Sequence, residues 1–458
     1  MHEPDGLPTP RRYYALFALA LGTILAVLDG AIANVALPTI ARELKSDPAT
    51  SVWVVNAYQM AVTLSLLPLA SLAERVGYRR VYLSGLALFT LASLLCALSP
   101  TMTLLALARA VQGLGASGLM SVNIAVIRMI FPARQLGRGV SINASVVAIS
   151  TAIGPTLASG ILSIASWHWL FAINVPLGFV ALFVGMRSMP NNEVHDRPYD
   201  YLSALLNALT FGLAILAVDG FGHPGDRSRV IAEAAGAIVI GVIFVRRQLS
   251  QTAPLLPVDL LRIPMFAMAI GTSMCAFVAQ MLAFVSLPFY LQDALGRTQI
   301  ETGLLMTPWP LTIVFVAPIA GVLSDRLPAS VLGGIGLFSF AAGLLLLAGL
   351  PAHPSALDIG WRMAVCGFGY GLFQTPNNRA ILSSAPRARS GGASGMLGMA
   401  RLTGQTLGAA LVALIFGLEP AHGTTVTLLV GAAFSATAAV VSLGRLANRS
   451  TGNDASAV

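Results

Sequence analysis

The chain has 458 residues, 56% of them hydrophobic and only 10% charged, with a mean hydropathy of +0.78; soluble chains carry about 25% charged residues, so this composition excludes a water-soluble protein. The net charge of +8 comes from cations that fall in short clusters between apolar runs, which excludes the continuous basic stripe of a nucleic-acid binder. Three widely spaced cysteines, Cys96, Cys275 and Cys366, lie within apolar runs and read as packing residues rather than a metal or disulfide framework.

A spanning helix takes about 20 residues, and fourteen of them leave room for short loops and two tails but no large soluble domain. A short tail ending in Arg11-Arg12 precedes the first apolar run. That run is longer than the apolar core of a signal peptide and ends in Leu37-Pro38 without a small-residue cleavage site, so it reads as a retained span. The pattern predicts helices near 13–40, 51–73, 79–98, 101–127, 138–163 and 167–187. A second series follows near 200–219, 229–248, 264–292, 301–323, 330–350, 357–383, 393–417 and 422–446. With both termini inside, most of the 27 cations fall on the cytoplasmic side, among them Arg75, Arg128, Arg187, Arg326, Arg379, Arg387 and Arg445. Arg42, Lys45, Arg227, Arg229, Arg297 and Arg362 fall outside, and this positive-inside bias sets the orientation.

The chain repeats weakly. Glu74-Arg75 follows the second helix and Asp325-Arg326 the tenth, each shortly after a helix-breaking proline, Pro68 or Pro318. Internal repeats are a transporter habit, because alternating access moves one bundle against another. The expected fold class is an all-α integral membrane protein with 14 transmembrane helices. Its expected parts are a cytoplasmic tail at 1–12, an N-terminal six-helix bundle at 13–190, a linker with two inserted transmembrane helices at 191–250, a C-terminal six-helix bundle at 251–446 and a cytoplasmic tail at 447–458. The linker opens on the polar segment His195-Asp196-Arg197.

Glu74, Arg75, Gly77, Arg79 and Arg80 occupy the first cytoplasmic hairpin. A carboxylate there can hold cations or helix N-termini in one state and release them in another, while the glycine permits a tight turn. The alternative is a basic loop that only sets topology. Asp29 lies nine positions before Pro38, roughly 13 Å below the outer end of the first helix at a rise of about 1.5 Å per residue. Ionisable groups at such depth are functional candidates. Arg109, eight positions after Thr101 on a helix running the other way, reaches roughly 12 Å by the same rise, so the two can face each other. A desolvated carboxylate tends to stay protonated and a nearby cation favours its ionised form. Asp29 can therefore trade a proton for a cation, with Arg109 as tuner and Gln112 as a polar neighbour; a permanent structural ion pair is the other reading.

Asn34, Asn56, Tyr58, Gln59, Gln280, Gln292, Tyr370, Phe373, Gln374 and Asn377 are candidates to line a central cavity, aromatic rings supplying cation-π contact, or else to pack between helices. Trp309, between Pro308 and Pro310, marks either a bent helix beside the cavity or an interfacial anchor, and Arg401 is expected to snorkel to the cytoplasmic surface. Asp219, Asp293, Asp358 and Glu419 read as solvated caps at outer helix ends. Gly113-Leu114-Gly115-Ala116-Ser117-Gly118 satisfies GxGxxG but sits inside a membrane helix with no preceding strand, so it reads as close helix packing. The six histidines fall in loops, helix ends or tails and make no ligand set or triad; no metal site and no cofactor is expected.

Several segments together resemble the major facilitator superfamily, specifically its fourteen-helix drug:proton antiporter branch. Leu28-Asp29-Gly30-Ala31-Ile32-Ala33-Asn34-Val35-Ala36-Leu37-Pro38 is similar to the first-helix signature of that branch, and the Glu74–Arg80 hairpin to the loop motif of the superfamily. Arg109-Ala110-Val111-Gln112-Gly113 resembles its fourth-helix motif, and Gly154-Pro155 the antiporter motif of helix five. Trp167-His168-Trp169-Leu170-Phe171-Ala172-Ile173-Asn174-Val175-Pro176-Leu177-Gly178 resembles the start of helix six, and Gln374-Thr375-Pro376-Asn377-Asn378 agrees in helix twelve. The chain departs from the pattern at Glu74, which replaces the commoner aspartate, and at Ala70, Ala31, Ser150, Ala158 and Ser159, where small residues stand in and close packing is expected to survive.

The resemblance implies two six-helix bundles plus two inserted helices, and a proton-coupled antiporter that exports small amphiphilic or cationic drugs across the cytoplasmic membrane. Its partners would be substrate, protons and the lipid bilayer, without nucleic acid, in a monomer. The alternative is a dedicated exporter, or proton-coupled importer, of a single metabolite. Asp29 and Arg109 would couple protons, while Glu74, Arg75, Gly77, Arg79, Arg80, Gly154, Pro155, Asp325 and Arg326 would gate. No phosphate-cradling loop is present to imply ATP, and no enzymatic set is found.

Overall fold

A computed structural model describes residues 6–191, 199–221, 227–251, 254–386 and 389–454. His2, His195, Asp196, Arg197, His223 and Arg387 lie outside the described residues.

The described residues form helices and no strand. In chain order the long helices are α1 (Arg11–Glu43), α2 (Pro48–Val76), α3 (Tyr78–Ala97), α4 (Met102–Ile130), α5 (Leu136–Ile164), α6 (His168–Ser188), α7 (Tyr201–Gly220) and α8 (Arg227–Ser250). They continue as α9 (Pro264–Ala294), α10 (Gln299–Leu323), α11 (Ala329–Ala348), α12 (Ala356–Ser384), α13 (Ser390–Leu418) and α14 (Gly423–Arg445). Thirteen of them are long and apolar enough to cross a membrane. The other, α12, is a continuous 29-residue helix made less apolar by Asp358, Arg362, Gln374, Asn377, Asn378 and Arg379. An all-helical fold is what a bilayer demands of such a chain, because each backbone polar group must be satisfied within its own segment.

Local signals set several ends. Asp47 accepts a hydrogen bond from the Thr50 amide at the start of α2, and Thr298 forms a capping box with Glu301 at the start of α10. Gly77 separates α2 from α3 with φ of 104°, a left-handed value that a side chain opposes. One boundary differs from the sequence expectation. The first helix does not finish near Pro38 but continues to Glu43, because the flanking stretch from Ile32 to Ala41 is buried and packing outweighs the one backbone bond that proline removes.

The fold divides into two compact units, Met1–Gly212 and Leu213–Val458, with the division inside α7. The first part of α7 leans on α2, where Asn207 Nδ2 donates to the Leu64 carbonyl at 2.9 Å. Within each unit the helices pack in the same pairs. In the first, α3 packs on α4, α2 on α4, and α1 on α5 and α6; in the second, α11 packs on α12, α10 on α12, and α9 on α13 and α14. Prolines keep the same register, with Pro38 and Pro288 near the ends of α1 and α9, and Pro68 and Pro318 late in α2 and α10.

Small residues make these seams possible. A Cβ on Gly115 would lie 2.4 Å from the Phe89 amide nitrogen, and one on Gly369 would lie 2.4 Å from that of Phe340. Gly113 likewise abuts the Tyr58 carbonyl and Gly118 the backbone of Gly85. The GxGxxG stretch is thus a close-packing face, as its position within a membrane helix implied. Gly115→Val is expected to cost at least about 1–3 kcal/mol, since backbone atoms rather than a movable side chain would have to give. Gly160→Ala, where nothing lies within 4 Å, is the matched control. Fluorescence-detected size-exclusion chromatography of solubilised membranes should show the folded peak falling only for the first.

Candidate functional site

The strongest polar cluster among the described residues lies inside the first unit, where five helices each contribute to it. Asp29 on α1 is 2% exposed and Arg109 on α4 is fully buried. The Arg109 Nη1 donates to Asp29 Oδ2 and, at 2.5 Å, to Gln112 Oε1, while its Nε donates to the Val54 carbonyl of α2 at 2.9 Å. The other carboxylate oxygen of Asp29 accepts from Gln112 Nε2 at 2.8 Å and from Asn174 Nδ2 of α6 at 2.9 Å. Gln112 Nε2 also donates to Ser93 Oγ of α3 at 2.8 Å. The guanidinium stacks over Tyr58, 4.2 Å from the ring centroid, with Phe171 at 5.5 Å.

The two sequence estimates of depth therefore converge on one place. With α1 running to Glu43, Asp29 sits fourteen residues from that end, roughly 21 Å at a rise of about 1.5 Å per residue, deeper than Pro38 suggested. An unpaired carboxylate at that depth is costly, and here Asp29 meets one arginine and two amide donors. Beyond Asp29, Arg109 also holds the Val54 carbonyl and the Gln112 oxygen and lies over two aromatic faces. Arg109 Nη2, Asn34 Oδ1 and both amide atoms of Asn56 are buried and have no partner among the described residues. Such atoms are open to a water or a passenger molecule.

The remaining sequence candidates separate. Tyr58 and Gln112 belong to the cluster, Tyr58 also donating to the Ala26 carbonyl at 3.1 Å. Gln59 is half-buried on α2. In the second unit Gln280 and Gln374 are half-buried, whereas Gln292, Tyr370, Phe373 and Asn377 are buried. Tyr370 and Phe373 join an aromatic core with Phe277, Phe340 and Trp309, in which Trp309 and Phe340 are 5.3 Å apart and Phe340 and Tyr370 are 5.6 Å apart. Trp309 is 1% exposed, which corrects the interfacial-anchor reading: flanking prolines place it inward. Asn377 is tied to the Ala269 carbonyl, to Ser273 Oγ at 2.8 Å and to Arg445 Nη1 at 2.8 Å.

The hairpin residues are mostly surface groups. Glu74, Arg75 and Arg80 are exposed, and among the described residues Glu74 makes no ion pair. Arg79 reaches across to α6, donating to Asn191 Oδ1 at 2.7 Å and to the Met186 carbonyl. In the second unit Asp325 pairs with Arg379, and Arg326 is exposed. Gly154 and Pro155 are buried on α5, and a Cβ on Gly154 would lie 2.6 Å from that of Ala31, so the small residue at 31 is what lets α5 approach α1.

Sequence reasoning did not single out Asn174 or Ser93 as members of this cluster, although Asn174 stood inside the Trp167–Gly178 segment. A deep amide in an apolar span was the available signal. It also counted Arg445 only as a topology cation, whereas the residue is 1% exposed. Asn174→Ala should leave one Asp29 oxygen with a single donor, costing about 1–3 kcal/mol of local stabilisation and slowing transport by about tenfold or more, read as initial rate in proteoliposomes.

A Major Facilitator Superfamily profile matches residues 19–409. The chain belongs to the Major Facilitator Superfamily. Members are secondary transporters rather than enzymes, and this is a multi-pass membrane protein. It is 56% identical over 442 residues to the uncharacterized transporter YebQ of Escherichia coli (strain K12), covering 96% of this chain and 97% of that one. It is 29% identical to the riboflavin transporter RibZ of Clostridioides difficile (strain 630), covering 89% and 88%. With the multidrug resistance protein Stp of Mycobacterium tuberculosis (strain CDC 1551 / Oshkosh) it shares 31% identity, covering 87% and 74%. Among solved structures, a POT family transporter in complex with a thioalcohol-conjugated peptide superimposes with a TM-score of 0.73 at 16% identity, covering 95% of this chain and 96% of that one, which is a likeness of fold.

Proposed function

We propose that this chain is a proton-coupled antiporter of the cytoplasmic membrane that exports small amphiphilic or cationic compounds by alternating access, with both termini cytoplasmic and the monomer as the working unit. The observation that carries the reading is the buried Asp29 carboxylate, held by Arg109 and Gln112, which each have other partners, and by the Asn174 amide. In the cycle, cargo arriving from the cytoplasmic side displaces the proton from Asp29, the ionised carboxylate returns to Arg109, and reprotonation from outside discharges the cargo. The bundles at 13–190 and 251–446 are the moving bodies of this cycle, with the two helices of 191–250 inserted between them, Gly154-Pro155 as a bend, and the Glu74–Arg80 and Asp325-Arg326 hairpins as gates. The unpartnered amides of Asn34 and Asn56 are the polar contacts offered to cargo within the first unit, and likeness to the multidrug resistance protein Stp supports this choice of cargo.

Everted membrane vesicles with a lipophilic cationic dye added to the outside medium, which faces their cytoplasmic side, test the reading. Dye transport should start on energisation and collapse when a protonophore removes the proton gradient. A second reading, a dedicated transporter of one metabolite, is favoured by the similarity to RibZ; competition by a single metabolite with no competition among unrelated dyes would select it.

A further inference from the structure

We propose that the second unit carries a phosphate-binding cavity distinct from the Asp29 cluster. A cavity of about 500 Å³ opens between the ends of α9, α10, α11, α12 and α14, and its wall includes Arg326, Arg379, Arg445, Ser330, Ser383 and Asp325. Three arginines therefore face one carboxylate. Arg445 is 1% exposed, and its guanidinium donates to Asn377 Oδ1 at 2.8 Å and to Ser442 Oγ at 2.5 Å, both neutral groups. Its hydrogen bonds are met, but its charge is not, and a buried cation without a counterion is costly. Arg379 is paired with Asp325 in an exposed contact, the kind of surface ion pair that is worth little and gives way to a stronger ligand. The Arg326 backbone amide donates to the Leu323 carbonyl at 3.0 Å, and its side chain makes no hydrogen bond or ion pair among the described residues.

The backbone adds to the same field. The 20-residue α11 begins at Ala329 on the cavity wall, and although the Val331 and Leu332 amides are taken by the Pro328 carbonyl, the positive end of its dipole lies beside the cavity. Arginine forks, hydroxyls and a helix N-terminus together are the donor set that a tetrahedral phosphate takes up. The volume leaves room beyond the phosphate for a glycerol headgroup. By the charge bias of the loops this end of the unit faces the cytoplasm, where the phosphate can arrive on an anionic lipid or free in solution. The site shares Asp325 and Arg326 with the hairpin proposed above as a gate and lies apart from the Asp29 cluster.

The test uses the full chain purified in neutral detergent, with thermal unfolding followed as dioleoyl phosphatidylglycerol, inorganic phosphate at fixed ionic strength, or phosphate-free dioleoylglycerol is titrated in. Saturable stabilisation by the phospholipid is expected. Arg326→Gln with Arg379→Gln should weaken its apparent affinity by about tenfold or more, and Asp325→Asn should strengthen it, since a competing carboxylate is removed. These exposed positions are used because Arg445 also anchors Asn377 and its loss would disturb folding. Stabilisation by both phospholipid and inorganic phosphate assigns the site to the phosphate group itself; stabilisation by the phospholipid alone, lost in the arginine variant, assigns it to a lipid headgroup. Equal effects of dioleoylglycerol and the phospholipid, or an arginine variant that binds as the parent does, would overturn the proposal.

Discussion

Asp29→Asn is expected to reduce uphill, proton-driven dye movement in everted vesicles to the level of vesicles without the transporter, while exchange of labelled for unlabelled cargo at equal concentrations continues. Asparagine keeps the size of aspartate and an oxygen that can accept from Gln112 and Asn174, so the helix contacts around it survive. It holds no exchangeable charge, and a carrier that cannot deprotonate cannot link cargo to the gradient. The fold should lose up to about 3–5 kcal/mol, because Arg109 is left buried without its counterion, a cost softened by the Val54 carbonyl, the Gln112 oxygen and the Tyr58 and Phe171 faces that it retains. Full uphill transport by this variant, at parental expression, would remove the carboxylate from the mechanism altogether.

How much of this was legible beforehand follows from what one dimension can encode. Depth along a helix is a count of residues, so the pairing of Asp29 with Arg109 was suggested by their distances to Pro38 and Thr101, although α1 runs five residues beyond Pro38 and places Asp29 farther from its end than that count implied. Azimuth is not a count. Which of several deep amides turns toward Asp29 depends on how the helices of the first unit are rotated, and that is set by close contacts such as Gly178 of α6 against Thr90 of α3 and Gly154 of α5 against Ala31 of α1. Asn174 was therefore present in a quoted segment without being assigned, whereas Gln112, one helical turn from Arg109, was. The same limit explains Trp309 and Arg445. A tryptophan between prolines and a cation near the end of an apolar run have the composition of interfacial anchors, but in the second unit the aromatic core of Phe284, Phe340 and Tyr370 and the amide of Asn377 draw them inward. The repeat was legible only as two acid–arginine pairs after two prolines; the matching helix pairs and the matched contacts of Gly115 and Gly369 needed coordinates.

Arg109→Met is expected to damage the protein before it damages transport. The side chain removed is fully buried, and what remains opposite it is the Asp29 carboxyl group with two amide donors and no cation. Breaking a buried pair from one side typically costs about 3–5 kcal/mol, because the surviving charge stays desolvated. Folded yield should fall sharply and the unfolding temperature with it. The double variant Asp29→Asn with Arg109→Met removes the stranded charge as well, so it should recover most of that stability while remaining unable to couple to protons. The coupling free energy between the two positions is then expected to lie at or above about 3 kcal/mol, the upper range for residues sharing one network. Arg109→Lys separates the parts further. A lysine keeps the charge but cannot present the planar fork that binds Val54, Gln112 and Asp29 at once. It should therefore fold better than the methionine variant yet transport slowly. If the double variant proves no more stable than Arg109→Met alone, Asp29 is not ionised in the resting protein, and the exchange of proton for cargo must begin from the protonated side of the cycle.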